Sequence, residues 1–187
     1  MLPHYLMKRR WYAAKQQKID TVRMVAATAL PMSKTMPGSL PTVLCEIVVH
    51  GGAKEQRYLL PLGFIREEDT ISALPHQLAL SRVRRNRHVG FLTDAFALDS
   101  FIMTVLELLA GDAVLPAADG SLRFAPTGAF DAAAAHAPLQ LRRIAQEQSN
   151  SSVVINDAMV MKVLRLVKPG IHPEIEMGRY LTAVSYT

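Results

Sequence analysis

The chain has 187 residues, 50% hydrophobic and 20% charged, with a formal net charge of +5, a composition that supports a packed core and excludes a disordered or fibrous chain. A single cysteine, Cys45, excludes an intrachain disulfide and fits a cytoplasmic setting. The longest apolar stretch, Phe96 to Ala110, is interrupted by Asp99 and Glu107, so a core helix is expected there and no membrane span, and residues 1–7 lack the order of a secretory leader.

Charge is divided unevenly along the chain. Through Leu92 there are 14 Lys or Arg against 6 Asp or Glu, and from Thr93 onward 7 against 10. Gly90 stands near the change, and the spacing predicts two regions, 1–92 and 93–187. In the first, Ile19 to Leu30, Thr42 to His50 and Gln56 to Phe64 are predicted strands. Gly51-Gly52-Ala53-Lys54 is a hairpin-length connection. Pro31 to Pro41, with three prolines and Gly38, is a predicted loop. In the second region Asp94 to Leu109 is the best helix, Asp119-Gly120 a turn and Leu122 to Phe124 a short strand, and Ala132 to Ala135 extends a helical turn.

The basic groups are read as structural. Arg82, Arg84, Arg85 and Arg87 lack interleaved aromatics and any nucleic-acid module, so they predict a solvated face or subunit contact and no nucleic-acid binding. Arg9-Arg10-Trp11 predicts a tryptophan packed in the core with arginines at its rim. The six histidines have no metal-ligand spacing, and no metal site is expected.

Chemistry concentrates near the C-terminus. Ser151 to Ile155 is a β-branched run, Asn156-Asp157 a turn signal and Ala158 to Leu164 a second apolar run, which together predict a tight hairpin. Gln148 to Ser152 precedes it, a run of small or amide side chains suited to cradling phosphate oxygens. Val160, Lys162 and Leu164 share one strand face, where a lysine needs an anion. Pro169-Gly170 breaks the chain, and Pro173, Glu174 and Glu176 open a helix whose dipole favours negative charge. Either glutamate is a candidate partner for the lysine. A hairpin, a phosphate loop, a strand lysine and a helix glutamate are the parts that position ATP phosphates in kinase-like enzymes.

These residues carry a family resemblance. Glu147 to Val154, Met161-Lys162-Val163-Leu164-Arg165 and Pro169 to Glu176 resemble the nucleotide lobe of bacterial maltokinase, an enzyme found alone or fused behind trehalose synthase. Leu2-Pro3, Arg9 to Lys15 and Tyr58-Leu59-Leu60-Pro61-Leu62 are similar to its N-terminal cap, while the match is patchy between about Ile65 and Gln140. The resemblance implies ATP-dependent phosphorylation of maltose to maltose 1-phosphate, with Ser149, Asn150, Ser151 and Ser152 in the phosphate loop, Lys162 as the ATP lysine and Glu176 as its helix partner. The family's His-Gly-Asp and Asp-x-Glu strings do not occur in these 187 residues, so no catalytic residue is assigned and Mg ligands are not expected here. The expected partners are ATP and a C-terminal kinase lobe or fused trehalose synthase. The exposed nucleotide face of such a lobe would offer an apolar patch for self-association. The implied fold is α+β: a mainly antiparallel cap sheet over 1–92, then a partial protein-kinase-like N-lobe over 93–187 with a β-hairpin and C-terminal helix. The alternative function is a non-enzymatic interaction or scaffold module built on the cap.

Overall fold

Alternating and β-branched runs in the first half of the chain build one antiparallel sheet. In the computed structural model, which describes residues 1–52, 54–118, 120–128, 130–131, 139–144 and 150–185, a short helix α1 (Leu2–Met7) precedes β1 (Thr21–Ala29), β2 (Thr42–Gly51) and β3 (Lys54–Arg66). A one-turn helix α2 (Leu74–Gln77), β4 (Ala79–Arg85) and β5 (His88–Asp94) follow. The strand order is β1-β2-β3-β5-β4, and β11 (Leu166–Val167) returns from the far end of the chain to pair with β3. Between them lie α3 (Asp99–Ala110), the two-stranded β6 (Val114–Ala117) and β7 (Gly120–Arg123), and a three-stranded sheet. That sheet runs β10-β9-β8, from β10 (Met159–Leu164) through β9 (Asn150–Ile155) to β8 (Leu141–Ile144), and α4 (Pro173–Ser185) ends the described chain. The α+β class and the antiparallel first sheet agree with expectation.

Several details differ from the sequence expectation. Gly90 does not interrupt the chain: it lies inside β5, where a Cβ would collide with the Ile65 carbonyl and the Phe64 ring of β3. Glycine here lets two backbones approach, so β5 runs straight through position 92. The helix predicted from Asp94 begins at Asp99. Asp94 instead ends β5 and caps a 3-10 turn over Ala95–Ala97 by accepting the Phe96 N–H at 3.1 Å. Among the unpredicted elements are α1, β4, β5, β8 and the two-residue β11. Ala132 to Ala135 and Asp119 lie outside the described residues.

Period-two alternation sends β2 and β3 side chains into two cores. Ile47, Val49, Tyr58 and Leu60 pack on one face against Tyr5, Leu6, Trp11 and Tyr12, whereas Leu44 and Leu59 meet the cluster of Phe96, Phe101, Ile102, Leu106, Val153, Ile155 and Val163 on the other. Trp11 is buried with its ring 5.8 Å from that of Tyr58, and the Arg9 guanidinium lies 4.6 Å over the Tyr5 ring. Arg82 on β4 pairs at the surface with Glu67 at 2.6 Å.

Two polar fastenings hold these layers. Glu107 on α3 accepts from Ser33 Oγ at 2.7 Å, Lys34 N at 2.9 Å, Thr35 Oγ1 at 2.6 Å and Thr35 N at 3.1 Å. Partial burial pushes the Glu107 carboxyl up, but these donors outweigh it and lower its pKa to about 2. The proline-rich loop is thereby clasped to the helix.

The second fastening is a buried ion pair. The Leu59 N–H of β3 bonds the Arg165 carbonyl at 2.7 Å, and Leu62 of the same strand pairs with Asp94. β11 and β5 thus meet one edge of β3 at adjacent stations, and Pro61, which has no N–H to offer, lies between them. There Arg165 Nη2 lies 2.9 Å from Asp94 Oδ2, with both side chains 1% exposed. Tyr5 Oη adds a donor to Asp94 at 3.3 Å, and Arg165 also lies over the rings of Trp11 and Phe96. Burial, then the Asp94 charge, raise the Tyr5 phenol's pKa, so it remains a donor.

Asp94→Ala should lower unfolding free energy in urea by about 3–5 kcal/mol, since it strands a buried guanidinium. Joining it to Arg165→Met should recover most of that loss; additive losses would contradict the pairing account. For the clasp, the Lys34 and Thr35 amide resonances should titrate with a midpoint of about 2. A lowered carboxyl contributes stability above its unfolded pKa of about 4.3 and loses it as pH falls through the folded value. Glu107→Gln should abolish the transition, and a midpoint near the ordinary glutamate value would refute the clasp.

Candidate functional site

The hairpin expected from the sequence is built by β9 and β10. Asn156 and Asp157 take φ values of 52° and 50°, and the Ala158 N–H bonds the Ile155 carbonyl at 3.0 Å. Asn and Asp tolerate this left-handed region, whose twist suits a hairpin. Asn156 also ties down β8: its Oδ1 accepts the Gln140 N–H at 2.8 Å, and its own N–H donates to the Gln140 carbonyl at 3.0 Å.

Along β10, Met159, Met161 and Val163 pack into the core, leaving Val160 and Lys162 on the outer face. Lys162 Nζ lies 3.2 Å from Glu174 Oε2, each side chain 45% exposed. Asn150 Nδ2 donates to Glu174 Oε1 at 3.1 Å. One carboxylate in the first turn of α4 thus joins the start of β9 to the lysine of β10. The Lys162 hydrogen bond is the main reason the Glu174 pKa is lowered, with partial burial opposing it and Asn150 assisting.

This geometry corrects the expected pairing with Glu176. Glu174 faces Lys162, and a residue two places later on a helix points roughly 200° away around the axis. The expected phosphate loop is also revised. Ser149 lies outside the described residues, while Asn150, Ser151 and Ser152 belong to β9. Ser152 is opposite Lys162 across the ladder and 0% exposed, so a ligand on the outer surface does not reach it in this conformation. Ser151 points to the other face, where its Oγ accepts from Arg165 Nε at 3.0 Å and Nη2 at 2.8 Å. Of the expected site residues that are described, Asn150 and Lys162 converge on a common group, Glu174.

Arg165 and Asp94 were not singled out by sequence, although a signal for the arginine was available. Continuing the alternation from Met161 and Val163 puts residue 165 on the inward face, and an inward arginine requires a buried anion. No comparable local pattern marks Asp94. Among the described residues, no group of three or more His, Cys, Asp or Glu is placed to hold a metal ion, and no helix is long and apolar enough to cross a membrane.

Comparison with known families bears on the first sheet. Residues 5–97 match the model of the maltokinase N-terminal cap domain. The matched stretch begins in α1, contains β1 to β5 and ends with the 3-10 turn after Asp94. It therefore contains every strand of the larger sheet except β11, together with the aromatic cluster behind it. The chain thus carries a maltokinase N-terminal cap domain over residues 5–97.

Proposed function

We propose that this chain is the N-terminal part of a maltokinase-like phosphotransferase, whose hairpin helps to position ATP phosphates for transfer to maltose. The observation that carries this reading is the Lys162–Glu174 pair, a strand lysine held by a carboxylate from the following helix. Phosphoryl transfer depends chiefly on positioning and charge stabilisation, so a fixed ammonium group at a partly exposed position is useful chemistry. The fit to ATP is partial. That Lys162 and Asn150 meet at Glu174 on the outer face supports the reading, whereas Ser151 is turned away and Ser152 is buried.

In this reading ATP supplies the phosphoryl group, and this chain's residues bind and orient it. Glu174 holds the Lys162 ammonium toward the outer face, and Asn150 fixes Glu174 from the adjacent strand. Catalytic base, metal ligands and maltose contacts would come from a separate C-terminal lobe, either a kinase lobe or one belonging to a trehalose synthase fusion. The chain alone would then bind nucleotide weakly and transfer nothing.

Titration with ATP followed by amide chemical shifts should move resonances of β9 and β10. Lys162→Ala should weaken binding at least ten-fold, Glu174→Gln by a few-fold, and Glu176→Gln little. Undetectable ATP binding by the folded chain would favour the interaction-module reading. Maltose phosphorylation by the purified chain would overturn the assignment of catalysis to a separate lobe.

A further inference from the structure

The larger sheet ends in β1 on one side and β4 on the other. β4 carries the exposed Arg82 and Arg84, charges of the kind that blunt a strand edge, whereas Arg23 is the one charge in the sequence of β1. No residue of β1 is buried. Its outer edge is unpaired among the described residues: β6 comes near but pairs with β7, and no backbone group outside the sheet bonds Thr21–Ala29. We propose that this edge pairs with β1 of a second copy of the chain, antiparallel across a two-fold axis, so that two of the larger sheets join into one.

The backbone offers the groups this requires. Hydrogen-bonding direction alternates along an antiparallel strand, and the Leu30 N–H bonds the Thr42 carbonyl of β2 at 2.9 Å. Counting back from Leu30, the peptide groups of Ala29 and Ala27 point away from β2. The register then steps across a bulge between Met24 and Ala26, where Val25 has no partner on β2. That step decides which residues share a face. Val22 and Met24 before it, and Ala27 and Ala29 after it, oppose Val49, Ile47, Cys45 and Val43, alternate residues of β2 that lie on one side of the sheet.

A two-fold axis between Val25 and Ala26 makes this strand self-complementary. Met24 then stands opposite Ala27 of the second copy and Val22 opposite Ala29, each large side chain against a small one on the same face, and Arg23 stands opposite Thr28. Arg23 does not face its own copy, so the pairing sets no like charges against each other. Met24, 49% exposed, is covered by the contact. A contact of this kind closes at two copies, and the match of β1 to itself favours a second copy over an unrelated extended peptide. None of these residues belongs to the hairpin or α4, so the inference does not depend on the maltokinase-like reading.

The test is sedimentation equilibrium of the whole chain over a range of concentrations, where a monomer–dimer equilibrium is expected. Ala27→Pro removes an outward N–H at an edge position that tolerates proline, and Met24→Lys puts a charge where the pairing covers it. Each should raise the dimer dissociation constant at least ten-fold, while Tyr180→Lys on the exposed face of α4 leaves it unchanged. Circular dichroism confirms that each variant is folded, and Met24→Lys stands in if Ala27→Pro is not. Oxidation reads the register: an equal mixture of the Met24→Cys and Ala27→Cys variants should cross-link into a dimer that neither forms by itself, with the native Cys45 buried and out of reach. A chain that stays monomeric, a dimer lost only in Tyr180→Lys, equal dimerisation by every variant, or absence of the mixed cross-link would overturn the proposal.

Discussion

The ion pair between Arg165 and Asp94 determines how the two halves of this molecule meet. Neither residue is exposed beyond 1%, so each charge has left water for the other. Their attraction alone would not offset that transfer; additional donors and acceptors must complete the pair. Tyr5, Ser151 and the Phe96 N–H supply them, and each belongs to a different part of the chain. The N-terminal helix, the end of β5 and the first strand of the hairpin are therefore fixed by one electrostatic requirement. The sheet edge makes that meeting possible, because β5 and β11 approach β3 on either side of Pro61.

This arrangement has a functional consequence. A hairpin attached only through apolar contacts would be free to shift, whereas this one has a serine hydroxyl committed to the buried pair. Ser151 cannot serve a phosphate on the outer face while it accepts from Arg165. The neighbouring Ser152 faces outward by register but is covered. Consecutive strand residues point to opposite sides, so a run of serines that extends into a strand cannot act as a single cradle. Within β9, which begins at Asn150, Asn150 is therefore the residue left for the outer-face phosphate site proposed above, and Ser151 and Ser152 are not.

Much of the fold was legible because its signals are local. Strands β1 to β3 follow from β-branched runs, and Asn156-Asp157 marked a hairpin whose left-handed turn is present. Counting in twos put Val160 and Lys162 on one face of β10, and both are exposed there. What the sequence concealed is non-local. Gly90 resembles a break until β3 is seen to press against it, and β11 is too short to show a pattern. Choosing Glu174 over Glu176 depends on how α4 is set against β9, which helix periodicity alone does not give.

The two faces of the hairpin differ in their electrostatic demands. On the outer face a lysine and a glutamate satisfy each other at an exposed position, where a pair contributes at most about 1 kcal/mol. That exposure is compatible with the role proposed for Lys162, in which a phosphate would share its ammonium group with Glu174. On the inner face the Arg165–Asp94 pair is too buried to yield without strong destabilisation.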